Sequence, residues 1–247
     1  MFIIAQKVNK YKAFLKFFQQ NFLVISAETA EIPVKTLTAG RMPWYNMTEV
    51  FYLEVYSMIY MFLAPGFEEV EALAPLDLLR RAGLAVTTVA ITAPENEHAV
   101  KGSHNITVLA DMSTEAFTRF ALSGKCAEPV EAVILPGGMP GTTNLDASPV
   151  VDAALKLANE QGAYLCAICA APLVLGKRGY LVGKRATCYP GFESYLEGAE
   201  TGGKVIRDGR FITAAGMGVA QEFGLELVSV LASPEKAGEI RKSIQSL

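Results

Sequence analysis

Ala163-Tyr164-Leu165-Cys166-Ala167-Ile168-Cys169-Ala170-Ala171-Pro172-Leu173-Val174-Leu175 reads as an apolar strand that becomes a helix through one cysteine. A continuous apolar run suits a strand covered on both faces. A nucleophilic side chain at a strand-to-helix junction describes a nucleophile elbow, here with sulfur in place of a serine oxygen. A helix N-terminus carries unpaired N–H groups and a partial positive charge, so the expectation is a lowered pKa for Cys169. The competing reading is a buried cysteine acting as a small hydrophobe. The rest of the chain decides between them.

Outward from that junction the pattern is strand, helix, strand, repeated. Ile59-Tyr60-Met61-Phe62-Leu63-Ala64 is a second apolar strand, broken by Pro65-Gly66. Glu68 to Arg81 then has Val70, Leu73, Ala74, Leu76, Leu78 and Leu79 near helical spacing, with Gly83 where a C-cap belongs. Ala85 to Ile91 is the next strand, and Val100 to Leu109 an antiparallel hairpin or excursion. Ala132-Val133-Ile134-Leu135 is a buried strand stopped by Pro136-Gly137-Gly138, and Val150 to Gln161 an amphipathic helix. Strands at Gly183 to Cys188, Lys204 to Ile206 and Arg210 to Ala214 follow, and a helix from Ala220 to Leu231 closes the fold. Such alternation predicts an α/β protein with a mostly parallel sheet and helices on both faces. Its site belongs at the carboxyl ends of the strands.

Glu68, Glu69 and Glu71, the pair Gly137-Gly138, and Cys169 all follow strands, so the three groups are expected to meet. Glu71 lies about one turn into its helix, where a protonated carboxyl hydrogen-bonded to a thiolate would hold the charge. Glu68 and Glu69 fit a solvated acidic first turn. Without Cβ atoms, Gly137 and Gly138 let backbone N–H groups approach a ligand, and the N–H groups of Gly138 and Ala170 would form an oxyanion hole. A plain tight turn is the alternative there. Neither the phosphate-loop pattern nor Gly-x-Gly-x-x-Gly occurs at this strand end.

Cys166 and Cys169 spell Cys-x-x-Cys, but alternation along a strand sends their side chains to opposite faces, against a disulfide. A zinc site would need more ligands, and Cys126, Cys188, His98 and His104 are scattered. No metal is expected. The two histidines fall in the excursion, so a Cys-His pairing would require His104 to come in from there or from a partner subunit.

Hydrophobic residues make up 51% of the 247 and charged residues 19%, enough for a well-filled core. A formal net charge of −3 without a basic stripe argues against nucleic acid as the main partner. Four cysteines in a chain this long point to a reducing, cytoplasmic setting rather than a disulfide framework. Residues 1–57 hold 11 of the 23 aromatics and read as an extension separate from a domain at 58–247. Their most apolar part, 13–25, is broken by Lys16 and Gln19-Gln20-Asn21, too short and polar to span a bilayer. The readings are a surface-lying amphipathic helix, a poorly ordered segment, or translation upstream of a start at Met58 or Met61.

Ala64-Pro65-Gly66-Phe67-Glu68-Glu69-Val70-Glu71, Asp77 to Gly83, Leu135-Pro136-Gly137-Gly138, Ala167-Ile168-Cys169-Ala170-Ala171-Pro172 and Ile212 to Gly218 occur in one order. In these five motifs residues 58–247 resemble the ThiJ/PfpI family, specifically its branch around the parkinsonism-associated protein deglycase and bacterial relatives. The resemblance implies a flavodoxin-like three-layer sandwich, a homodimer and no cofactor. It also implies that Cys169 is the reactive cysteine, Glu71 its protonated partner, and Gly138 and Ala170 the amide donors. Gly137, Tyr189, Ala214 and Glu68 would line the site. The implied chemistry is conversion of methylglyoxal, or of glyoxal adducts on proteins, through a hemithioacetal on Cys169. The alternative is a non-enzymatic oxidative-stress sensor or holdase chaperone working by oxidation of Cys169. Cys188-Tyr189-Pro190 stands where the family branch has Thr-His-Pro, so Tyr189 replaces a histidine. The proteolytic branch has a histidine where this chain has Ala170, which argues against a peptidase.

Overall fold

A computed structural model describes residues 58–93, 98–122 and 129–246; the expected extension at 1–57 lies outside them, as does Cys126. The chain opens with β1 (Met58–Leu63), then α1 (Glu69–Arg81) and β2 (Val86–Ala90). Gly83 takes a left-handed φ of 81° one residue past the helix cap, as a C-terminal stop requires. The excursion is an antiparallel hairpin, β3 (Ala99–Lys101) with β4 (Thr107–Leu109). After it come β5 (Met112–Ser113), α2 (Thr114–Ala121), β6 (Val130–Leu135), α3 (Gly141–Asp146) and α4 (Pro149–Glu160). Next are β7 (Tyr164–Ile168), α5 (Pro172–Lys177), and β8 (Arg185–Ala186) paired with β9 (Glu200–Thr201). The hairpin of β10 (Val205–Asp208) and β11 (Phe211–Ala214) leads to α6 (Ala220–Leu231) and α7 (Pro234–Ser243).

The main sheet runs β10-β11-β7-β6-β1-β2-β5, and every pairing in it except β10 with β11 is parallel. Strand side chains alternate, so each strand serves two cores. Ile59, Met61, Leu63, Ile134, Cys166 and Ile168 pack with Leu76 and Leu79 of α1 and Phe223 and Leu227 of α6. Tyr60, Phe62, Val133, Leu135, Leu165 and Ala167 pack on the opposite face with Phe117 of α2, Leu155 of α4 and Val174 of α5. Two cores about one buried sheet make the flavodoxin-like sandwich. A Cβ on Gly224 would come within 2.9 Å of Pro75 Cα, so glycine lets α6 lie close on α1.

Two expectations need correction, and one helix was not anticipated. The stretch 183–188 does not join the main sheet. After two paired residues it is pulled toward the elbow: Thr187 N–H donates to Thr213 Oγ1 (2.8 Å) and Tyr189 N–H to the Cys169 carbonyl (2.7 Å). Nor does α6 end the fold, because Ser233 caps α7 by accepting from Lys236 N–H (3.1 Å), with Pro234 preset in the first turn. Finally, α2 fills the stretch after the hairpin, capped by Ser113 and anchored by the buried Phe117.

Candidate active site

Cys169 directly follows β7 with φ at +66°, a left-handed conformation costing a non-glycine residue about 1–2 kcal/mol. Neighbouring chain holds it there: Cys169 N–H donates to the Ala214 carbonyl (2.8 Å), and its own carbonyl accepts from Tyr189. The turn also breaks the expected alternation. Cys169 packs against the same core cluster as Cys166, rather than facing away from it. Both thiols are free, and burial raises the Cys166 pKa well above that of an ordinary thiol.

No helix end lies directly under the Cys169 sulfur, contrary to expectation. The helix starts at Pro172, three residues on, and proline has no N–H to offer. The donors at the half-buried sulfur are instead the backbone N–H groups of Ala170 and Gly138.

Glu71 reaches the same point from α1. Its side chain is buried, hydrogen-bonded to Cys169, and accepts from Gly137 N–H at 3.1 Å. Glu68 sets the start of that helix by accepting from Glu71 N–H at 2.6 Å. Met217 also donates its backbone N–H to Glu71, a role that the side chains of the Ile212 to Gly218 motif do not announce. A Cβ on Gly137 would stand 2.6 Å from Cys169 Cβ and collide with Glu71 Oε2. Gly137→Ala is therefore expected to cost about 1–3 kcal/mol of stability, as overpacking does, and to part the carboxyl from the sulfur. Chemical denaturation with an unmoved midpoint would contradict this.

Burial first, then the Glu71 charge and its hydrogen bond, push the Cys169 thiol up to about 12, while the Ala170 and Gly138 N–H groups pull it down. Burial, aided by the Glu68 charge, raises Glu71 to about 7 against its hydrogen bonds from Cys169, Gly137 and Met217. The two groups compete for one proton. While Glu71 is ionised its charge keeps the thiol protonated. With the proton on Glu71 the repulsion disappears, and its O–H joins two N–H donors around the sulfur.

Glu69 departs from the solvated first turn expected of it. It is buried and clasps the hairpin tip, accepting from His104 N–H (2.7 Å), His104 Nδ1 (2.8 Å), Ile106 N–H (3.3 Å) and Ser103 Oγ (3.3 Å). Burial works to raise its pKa, but these hydrogen bonds, led by His104, lower it to about 2. The bond to Glu69 raises the pKa of the exposed His104. His104 thus stands 3.8 Å from Glu68 Oε1 of its own chain and is occupied by Glu69. Among the described residues Glu68, Glu69 and His104 form the one acid-imidazole group close enough to hold a cation, and their atoms are already engaged with one another. Glu69→Gln should cost about 2 kcal/mol, the scale of hydrogen bonds to a charged group. The contribution of a depressed carboxyl is present above pH 4.5 and lost as pH falls through about 2. Melting temperatures at pH 7 and pH 2 that differ equally from wild type would refute it.

The structure therefore brings together Glu71, Gly137, Gly138, Cys169, Ala170 and Ala214, with Glu68 behind Glu71 and Tyr189 at the rim. A buried carboxyl against a cysteine at a strained elbow, on a parallel sheet between helices, defines a class of α/β sandwich proteins. A family model described as the DJ-1/PfpI family matches residues 57–230, and the chain belongs to that family. It is 36% identical over 189 residues to Protein dj-1beta of Drosophila melanogaster, covering 74% of this chain and 93% of that one. It is 32% identical over 182 residues to the glutathione-independent glyoxalase DJR-1.2 of Caenorhabditis elegans, covering 72% of this chain and 89% of that protein. The crystal structure of Drosophila DJ-1beta superposes with a TM-score of 0.68 at 34% identity, covering 77% of this chain and 98% of that one.

Proposed function

We propose that this protein is a cysteine-dependent, cofactor-free glyoxalase or deglycase acting on methylglyoxal or on glyoxal adducts. The observation that carries the reading is the hydrogen-bonded pair of Glu71 and Cys169, with the Gly138 and Ala170 N–H groups directed at the sulfur. The similarity to a relative named a glutathione-independent glyoxalase supports it.

In this mechanism the Cys169 sulfur adds to the aldehyde carbon, and the Glu71 proton moves to the carbonyl oxygen, giving a hemithioacetal. The Glu71 carboxylate then takes the C–H proton of that carbon, and the enediolate is held by backbone N–H groups. Return of the proton to the neighbouring carbon leaves a thioester. Water cleaves it, releasing a hydroxy acid and restoring the thiol. Lactate formation from methylglyoxal by the purified protein tests the scheme, and no turnover would overturn it.

A second reading takes the same half-buried sulfur as an oxidation sensor or holdase, with the three donors around Cys169 holding a sulfinate. Rapid gain of two oxygens on mild peroxide treatment, read by intact mass, without dicarbonyl turnover would favour it. In either reading the protein acts as a cytoplasmic homodimer. The free cysteines support the compartment, and the exposed apolar Val70, Ile106 and Leu109 on α1 and the hairpin support a second copy as partner. Among the described residues no helix is long and apolar enough to cross a membrane.

A further inference from the structure

Large apolar side chains left open to water need an occupant when they gather around a reactive centre. Met139, Tyr189 and Met217 are 51%, 51% and 53% exposed, and the backbone of each adjoins a different part of the Cys169 site. Met139 directly follows Gly138, whose N–H serves the sulfur, and its own sulfur lies 3.9 Å from Thr143 Oγ1. Tyr189 is bonded through its N–H to the Cys169 carbonyl. Met217 is bonded through its N–H to Glu71. A Cβ on Gly216 would meet Tyr189 Cδ2 at 3.4 Å and Glu71 Oε1 at 3.9 Å, so the tyrosine ring and the acid flank the same glycine. Phe192 stands edge-on behind that ring, with centroids 6.5 Å apart.

We infer that the rim formed by Met139, Tyr189 and Met217 binds the apolar substituent of a 2-oxoaldehyde, so that aryl and longer alkyl 2-oxoaldehydes are preferred to methylglyoxal. The inference rests on the glyoxalase reading and names its substrate class. Methylglyoxal carries one methyl group beside its reacting carbons and leaves the rim wet. A phenyl group on the same carbon offers apolar area that Tyr189 and the two methionines can cover. Methionine suits such a surface, because its flexible thioether adapts to aromatic and alkyl shapes alike. Binding energy from the substituent can then be spent on the reacting centre.

Two assays test this. In the first, kcat/KM for phenylglyoxal is divided by that for methylglyoxal, in wild type and in Met217→Gln, which keeps the backbone donor to Glu71. The expected wild-type ratio is about 10 or more, falling several-fold in the variant. In the second, which needs no turnover, N-benzyliodoacetamide is compared with iodoacetamide for the rate of Cys169 alkylation, each relative to free cysteine. The benzyl reagent is expected to gain about 10-fold, and to lose most of that gain in Met217→Gln. Dicarbonyl turnover with no preference in either assay overturns the inference. A benzyl preference without any dicarbonyl turnover leaves the rim in place and removes the glyoxalase reading instead. A preference that vanishes as the protein is concentrated and dimerises would assign the rim to a second copy, and the inference falls.

Discussion

Cys169→Ala will abolish lactate formation from methylglyoxal, lowering turnover by at least about 1,000-fold, while the folded structure persists. The rate loss follows from chemistry. No other described group at the site can add to an aldehyde and later leave as a thiol, and removal of a covalent nucleophile typically costs more than about 4 kcal/mol of barrier. The fold should survive, because the elbow is held by backbone bonds that alanine keeps, from Cys169 N–H to Ala214 and from Tyr189 N–H to the residue-169 carbonyl. A half-buried sulfur replaced by hydrogen changes stability by about 1 kcal/mol or less. Circular dichroism and a melting curve check the fold, and lactate quantification the rate. A variant that folds and still forms lactate at a comparable rate would remove the hemithioacetal. Cys169→Ser sharpens the result, because it keeps the shape of the elbow but offers an oxygen far harder to ionise.

The main sheet was legible in the sequence where strands are apolar on both faces, as in 59–64, 132–135 and 163–168. Burial on both sides leaves no polar alternative at those positions. The hairpin and the 205–214 turn were legible through their glycines and alternation. What escaped was held by tertiary partners instead of local pattern. Glu69 looks like any acidic first-turn residue until the hairpin tip, 35 positions away, surrounds it with donors. The 183–188 stretch has a strand-like composition, yet its later N–H groups go to Thr213 and Cys169. The thiol's environment escaped for a related reason. Sequence spacing put a helix end under the sulfur, whereas a left-handed residue and a proline moved that end away and left single N–H groups from two loops. The convergence of Glu71, Gly137-Gly138 and Cys169 followed from their common position at strand ends. The Met217 donor did not, because a backbone N–H carries no signature in side-chain identity.

Glu71→Gln should weaken the protein's chemistry and strengthen its fold at the same pH. Glutamine keeps the size of the side chain but can neither take a proton from carbon nor return one, so turnover should fall about 100- to 10,000-fold. The stability effect comes from the raised pKa. A carboxyl at about 7 when folded and 4.5 when exposed binds its proton more tightly in the folded state. Its stabilising contribution is complete below pH 4.5 and is lost as pH rises through 7, a swing of about 3 kcal/mol at roughly 1.4 kcal/mol per pKa unit. The proton count is the same whether Glu71 or Cys169 gives it up, so sharing between them leaves this sign unchanged. Glutamine does not titrate. The melting temperature of the variant relative to wild type should therefore be lowest near pH 4 and climb to its highest near pH 8, the reverse of what loss of a stabilising ion pair would give. A difference that stays flat from pH 4 to pH 8, together with turnover within a few-fold of wild type, would mean that Glu71 is an ordinary buried residue and that the sulfur has another proton partner.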